Sequence, residues 1–152
     1  MAKESAGILV YKHEGNELKV LLVHPGGPLY VKKDDGVWSV PKGELDGSED
    51  HLQAAYREFE EELGMPTPAA EPKDLGTIKQ KSGKTVYVWA VEGDLDLGGF
   101  TCNTFSMEWP PKSGKMQEFP ECDRAEWFDT QTARQKLNEA QVEFLDRLEQ
   151  SI

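Results

Sequence analysis

The stretch from Ser48 to Met65 constrains this chain more than any other, because two stripes of opposite character share one short helical pattern. Leu52, Ala55, Tyr56, Phe59 and Leu63 recur at the three- and four-residue spacing of a helix that packs one face on a sheet. Ser48 is a suitable N-cap, Glu49 and Asp50 suit the positive end of the helix dipole, and Gly64 with Pro66 ends the pattern. On the same wheel Glu58, Glu61 and Glu62 stack at i, i+3 and i+4, roughly 120° from the centre of the apolar stripe. Like charges at that spacing oppose one another by about 0.2–0.5 kcal/mol per pair. A merely solvated acidic face interleaves lysines, yet none occurs between Lys42 and Lys73, and Arg57 stands alone among the acids. A cation that neutralises the stripe makes sense of it.

Charge sharpens the point. The chain carries a net −11, and residues 41–65 hold eight acids against Lys42 and Arg57, a local −6. No basic stripe is visible, so DNA or RNA is not an expected partner. With 38% hydrophobic and 30% charged residues over 152 positions, the composition is that of one globular domain, residues 1–152. No apolar run approaches the ~20 residues of a membrane helix, and none of signal-peptide length precedes the first strand-like sequence. Two cysteines, Cys102 and Cys122, make no disulfide scaffold. These features predict a cytoplasmic protein with no membrane association.

Gly7–Tyr11 and Leu18–Val23 are aliphatic and β-branched, with turn chemistry at residues 14–17, which predicts a hairpin. His24-Pro25-Gly26-Gly27-Pro28 predicts a loop, and Val37–Val40 a short strand stopped by Pro41. Thr85–Val91 is the strongest strand pattern, and Ala125–Phe128 predicts a last strand before helical sequence from Thr130 to Gln150, in two pieces. Phe100–Phe119, broken by Pro110-Pro111 and Gly114, predicts a long irregular loop, a candidate lid or base-specificity element. The sum is an α+β domain.

Residues 43–65 resemble the Nudix box, G-x5-E-x7-R-E-U-x-E-E-x-G-U with U a bulky apolar residue. The fixed positions fall on Gly43, Glu49, Arg57, Glu58, Glu61, Glu62 and Gly64, with Phe59 and Met65 as the apolar ones. The resemblance implies the Nudix fold, an α/β/α sandwich around a mixed β-sheet. It also implies a metal-dependent hydrolase cleaving a phosphoanhydride bond in a nucleoside-diphosphate-linked small molecule. Glu58, Glu61 and Glu62, with the Gly43 carbonyl, would then hold Mg²⁺ or Mn²⁺, ions that prefer hard oxygen ligands. Glu49 and Arg57 would form an orienting ion pair.

A second, weaker resemblance concerns the family's dinucleoside-tetraphosphate (Ap4A)-cleaving members. Trp38-Ser39-Val40-Pro41-Lys42-Gly43 is similar to a segment of theirs, with Lys42 placed to reach a phosphate; Gly83–Trp89 is similar to another, and there Lys84 and Tyr87 are the candidate substrate contacts. Glu121, six residues before Trp127, corresponds to a loop glutamate and is the candidate general base, with Glu62 as an alternative and Glu118 as backup. Dinucleoside polyphosphates or nucleoside triphosphates are thus expected ahead of ADP-ribose and nucleotide sugars. A non-catalytic nucleotide-binding module is the rival reading, against which the crowding of three glutamates argues.

Overall fold

A computed structural model describes residues 3–152. Strand β1 (Glu4–Glu14) and strand β2 (Glu17–Pro25) form the expected hairpin, turning on Gly15 at φ 64°. On that same edge the first residues of β1 pair instead with β3 (Lys42–Glu44), Ala6 lying opposite Gly43. The other edge of β1 is taken over its length by β5 (Thr85–Glu92), and this pairing is parallel while the rest of the sheet is antiparallel. Strands β4 (Lys73–Lys79) and β8 (Cys122–Asp129) flank the mixed sheet, giving the order β4-β5-β1-β2-β8.

Side chains alternate across β1, so it feeds two cores. Ala6, Ile8 and Val10 face helix α1 (His51–Leu63), which buries Ala54, Ala55, Phe59 and Leu63 against them. Leu9 and Tyr11 face the opposite layer, where helix α2 (Thr130–Lys136) contributes Ala133 and helix α3 (Val142–Ser151) contributes Phe144, Leu145 and Leu148. Each fully buried Leu, Ile, Val or Phe side chain among these adds about 1.5–3 kcal/mol of hydrophobic stabilisation. The result is the α/β/α sandwich that the sequence implied.

Three local expectations need correction. Helix α1 begins at His51 with Asp50, not Ser48, as its cap: the Asp50 carboxylate accepts from the Gln53 N–H at 3.1 Å. Glu49, drawn onto Arg57, is unavailable to the helix end. Val37–Val40 is no regular strand; it makes isolated bridges, Ser39 to Val23 and Trp38 to Leu137, while Asp34 holds the Trp38 indole N–H at 2.7 Å. Part of the segment expected to be irregular forms a second sheet, the hairpin of β6 (Thr104–Glu108) and β7 (Met116–Pro120). The Glu108 carboxylate closes its turn by accepting from Lys112 N at 2.9 Å and Gly114 N at 3.2 Å, so the two prolines sit in the connection and not in a strand.

Candidate functional site

Helix α1 ends where its carboxylates meet two other elements. Gly64 adopts φ 69°, and its N–H caps the Glu60 carbonyl at 2.8 Å; a side chain there would strike Thr101. Thr101 N in turn donates to the Leu63 carbonyl, and Asn103 N to the Glu61 carbonyl, lashing the chain after β5 to the last turn of α1. Glu121, at the junction of β7 and β8, donates its N–H to the Asn103 carbonyl at 2.8 Å. Its carboxyl is raised from the usual carboxylate range by burial and by the neighbouring charge of Glu61. Two residues far apart in sequence are thus brought onto one acidic face.

Glu62 lies deepest. Burial pushes its carboxyl well above the ordinary range, with Glu58 and Glu121 adding repulsion and Lys42 opposing them. Its Oε2 is buried and has no hydrogen-bond partner. Glu58 is raised for a related reason, burial first, then Glu61 and Glu121, against the attraction of Arg57. Gly43 forms the wall facing it: a Cβ on Gly43 would come within 2.0 Å of Glu58 Oε2. Only a glycine in β3 lets that carboxylate approach the backbone so closely.

Arg57 is shared among three carboxylates and the Glu44 carbonyl, which Nη2 reaches at 3.4 Å. Its Nε and Nη2 grip Glu49 at 2.7 and 2.8 Å, a bidentate fork, while Nη1 reaches Glu58 Oε1 at 2.9 Å and Glu61 Oε2 at 3.2 Å. The fork holds the Glu49 carboxyl down to about 2. Glu58 and Glu61 are turned onto Arg57, and among the described residues no three ligating side chains converge on one point. The donor set is nonetheless that of a hard divalent cation: three carboxylates of one helix face, one with an orphaned oxygen, beside a backbone cradle kept open at Gly43.

The remaining candidates divide. Lys42 reaches this face, where burial lowers its ammonium below the usual lysine range, Lys84 nearby lowers it further, and Glu62, Glu44 and Glu58 pull it back. Tyr87 lies in register with Ala6 and so two strands from Gly43, but its hydroxyl donates to Glu4 at 2.8 Å and its ring packs on His51, centroids 4.1 Å apart. Sequence reasoning did not anticipate the thiols: Cys122 Sγ donates to the Glu62 carbonyl at 3.3 Å and touches Cys102 Sγ at 2.7 Å. Nothing in a spacing of twenty residues signals such a contact; it is made by the foot of the β6–β7 hairpin.

Comparison with known proteins agrees with this architecture. A family model described as the NUDIX domain matches residues 1–148. The bis(5′-nucleosyl)-tetraphosphatase (asymmetrical) of Caenorhabditis elegans is 34% identical over 87 residues, 57% of this chain and 54% of that protein. The Rattus norvegicus protein of the same name is 32% identical over 71 residues, 42% of this chain and 48% of that one. An RNA pyrophosphohydrolase of Bartonella henselae is 34% identical over 67 residues, 41% and 36% of the two chains. The chain therefore matches about half or less of the length of these curated relatives. Among solved structures, a C. elegans Ap4A hydrolase binary complex superposes with a TM-score of 0.65 at 20% identity, covering 99% of this chain and 97% of that one. The NUDIX domain of Shewanella oneidensis NrtR complexed with ADP ribose superposes with a TM-score of 0.67 at 14% identity, covering 99% and 88%. At these identities the likeness is one of fold.

Proposed function

Because the chain belongs to the Nudix family, we propose that it is a divalent-metal-dependent pyrophosphohydrolase that cleaves a phosphoanhydride bond in a dinucleoside polyphosphate or nucleoside triphosphate. The observation that carries the reading is Glu62: a buried carboxylate with an unpartnered oxygen, crowded by Glu58 and Glu121, is a costly arrangement unless a cation completes it. The carboxylates of Glu58, Glu61 and Glu62 and the carbonyl of Gly43 would hold Mg²⁺ or Mn²⁺. The chemistry such an ion supplies is charge neutralisation at the phosphate oxygens and acidification of the attacking water.

The chain's own residues then take distinct parts. Lys42 binds a phosphate oxygen as a point charge, with Lys84 reinforcing the positive edge of an otherwise acidic site. Arg57 orients Glu58 and Glu61, and Glu49 anchors Arg57. Glu121 accepts the proton of the attacking water; its raised pKa moves it toward the working pH at which a general base is most effective. Phosphoryl chemistry of this kind is mostly positioning and electrostatics, which suits a site so rich in fixed charge. The choice among substrates draws on the two bis(5′-nucleosyl)-tetraphosphatases, whose likeness to this chain covers about half of each.

Phosphate release, coupled to a phosphatase, is to be measured over a panel of diadenosine tetraphosphate, nucleoside triphosphates, ADP-ribose and nucleotide sugars, with Mg²⁺ and with Mn²⁺. Turnover of the first two groups ahead of the others is expected. No turnover of any substrate with either ion would sink the enzymatic reading, and ADP-ribose leading the panel would redirect the substrate assignment.

A further inference from the structure

Three of the five exposed large hydrophobic residues among those described, Leu29, Tyr30 and Val31, follow one another on the loop after β2, which faces the β6–β7 hairpin. Between that loop and the hairpin lies a cavity of about 190 Å³, walled by Gly27, Pro28, Leu29, Tyr30, Phe105 and Met107. Two glycines let loop and hairpin close around it. A Cβ on Gly26 would come within 2.0 Å of the Pro120 carbonyl oxygen, and one on Gly27, at φ 92°, within 3.0 Å of the Phe105 ring. Phe105 is itself braced by Phe119 across the hairpin, ring centroids 6.0 Å apart.

The cavity adjoins the acidic face through the backbone. Gly26 N donates to the carbonyl of Glu121 at 3.0 Å, and Glu121 N to the carbonyl of Asn103, the residue before β6. The loop, the hairpin and the proposed base therefore share one hydrogen-bonded junction. Drug-sized ligands occupy pockets of roughly 300–1,000 Å³. A cavity of 190 Å³ is too small for a whole nucleotide and suits one planar ring system.

We propose that this cavity is the nucleobase pocket of the substrate, with Tyr30, Phe105 and Met107 as its stacking surfaces and the adjoining acidic face receiving the phosphates. The inference rests on the hydrolase reading and names the part of the substrate that reading leaves open. The wall offers no side-chain donor or acceptor except the Tyr30 hydroxyl, so it grips the faces of a base without reading its edge. Sites that do not hydrogen-bond a substrate group discriminate weakly, whereas those that do reject its absence strongly. The pocket therefore favours bases over no base, and tells one base from another poorly.

The test uses two measurements on the full chain. In the first, steady-state kinetics compare diadenosine tetraphosphate with inorganic tripolyphosphate for wild type, Tyr30→Ser and Phe105→Leu. For the nucleotide KM is expected to rise about tenfold or more, with kcat within about twofold, while tripolyphosphate is unaffected; stacking energies of this order attend single bases on aromatic platforms. In the second, AMP, GMP, CMP and UMP are titrated into protein carrying ¹³C-methyl methionine, in EDTA. The Met107 methyl signal, assigned with Met107→Leu, is expected to shift with all four, at affinities within about tenfold of one another. Wild-type turnover with unchanged KM in both variants and an unmoved Met107 signal would overturn the pocket and leave the hydrolase reading standing. A Met107 shift without turnover of any substrate would uphold the pocket as a base site and overturn the hydrolase reading. A preference above about a thousandfold among the four bases would overturn the stacking mode.

Discussion

The two faces of the sheet solve the same packing problem with opposite treatments of charge. On the α2/α3 face each base of the two helices has its acid: Arg134 bridges Asp146 and Glu149, Arg147 meets Glu143 one turn away, and Lys136 holds Asp34 and Asp35. On the α1 face Arg57 alone serves Glu49, Glu58 and Glu61, and Glu62 has no partner for Oε2. Burial of aliphatic side chains is equally complete on both. The difference locates the strain of this fold: one layer is balanced in charge, and the other leaves charge unneutralised, which the proposed metal would relieve.

The contrast is broken most sharply by removing one charge from the α1 face. Glu62→Gln or Glu61→Gln is expected to lower hydrolysis at least ~10³-fold, about 4 kcal/mol of transition-state stabilisation, while far-UV circular dichroism stays native. Retention of more than about a tenth of the wild-type rate would remove that carboxylate from the principal ligands. On the balanced face, Arg134→Ala should lower Tm and leave kcat unchanged.

Next in size is Glu121→Gln, for which kcat should fall ~10²-fold or more with KM nearly constant, the usual contribution of a positioned general base. Glu118→Gln and Glu126→Gln are the controls. Should Glu118→Gln prove the crippled variant, the base belongs three residues earlier. Arg57→Ala is expected to weaken apparent metal affinity ~10–100-fold together with turnover, because orienting partners act through the ligands they hold. Loss of turnover at unchanged metal affinity would instead assign Arg57 a direct contact with substrate.

The two smallest effects concern stability. In metal-free protein near neutral pH, Glu62→Gln should raise Tm by a few degrees, since it removes the repulsion from Glu58 and Glu121, and each kcal/mol moves a domain of this size ~2–4 °C. A lowered Tm would mean the buried carboxylate is not a source of strain. The Glu49–Arg57 fork gives the gentlest signature. Its carboxyl is depressed in the folded state to about 2 from an ordinary 4.5, so its stabilisation is fully present above the ordinary value and fades as pH falls through the folded one. The Tm gap between wild type and Glu49→Gln should accordingly narrow between pH 4.5 and 2, and a gap independent of pH there would deny the fork its role.

What was legible in the sequence follows the range of the interactions involved. Helix α1, its two stripes and the Nudix signature are local patterns, and the fold came with them. The β6–β7 hairpin was hidden because Pro110, Pro111 and Gly114 dominate its centre, while Glu108 rescues the turn through side-chain bonds that no propensity encodes. Strand β4 was hidden because only Leu75 and Ile78 of its residues are buried. Ser48 and Asp50 are equally good caps in isolation, and the choice was made by a tertiary contact that took Glu49 away. The meeting of Cys102, Cys122 and Glu62, like the cavity between Gly27 and Phe105, depends on where the hairpin's foot lands.

The placement of β1 carries a kinetic consequence. Its parallel partner β5 lies about eighty residues downstream, Glu4 opposite Thr85, and no crossover of that length closes quickly. On a ribosome the β1–β2 hairpin can form early, but the edge of β1 that receives β5 stays open until Glu92 has emerged. Glu121, which joins the acidic face through its bond to Asn103, emerges later still. The acidic face is thus among the last parts of the molecule to be assembled, and slow mutants should accumulate as chains with a formed hairpin and an incomplete acidic face.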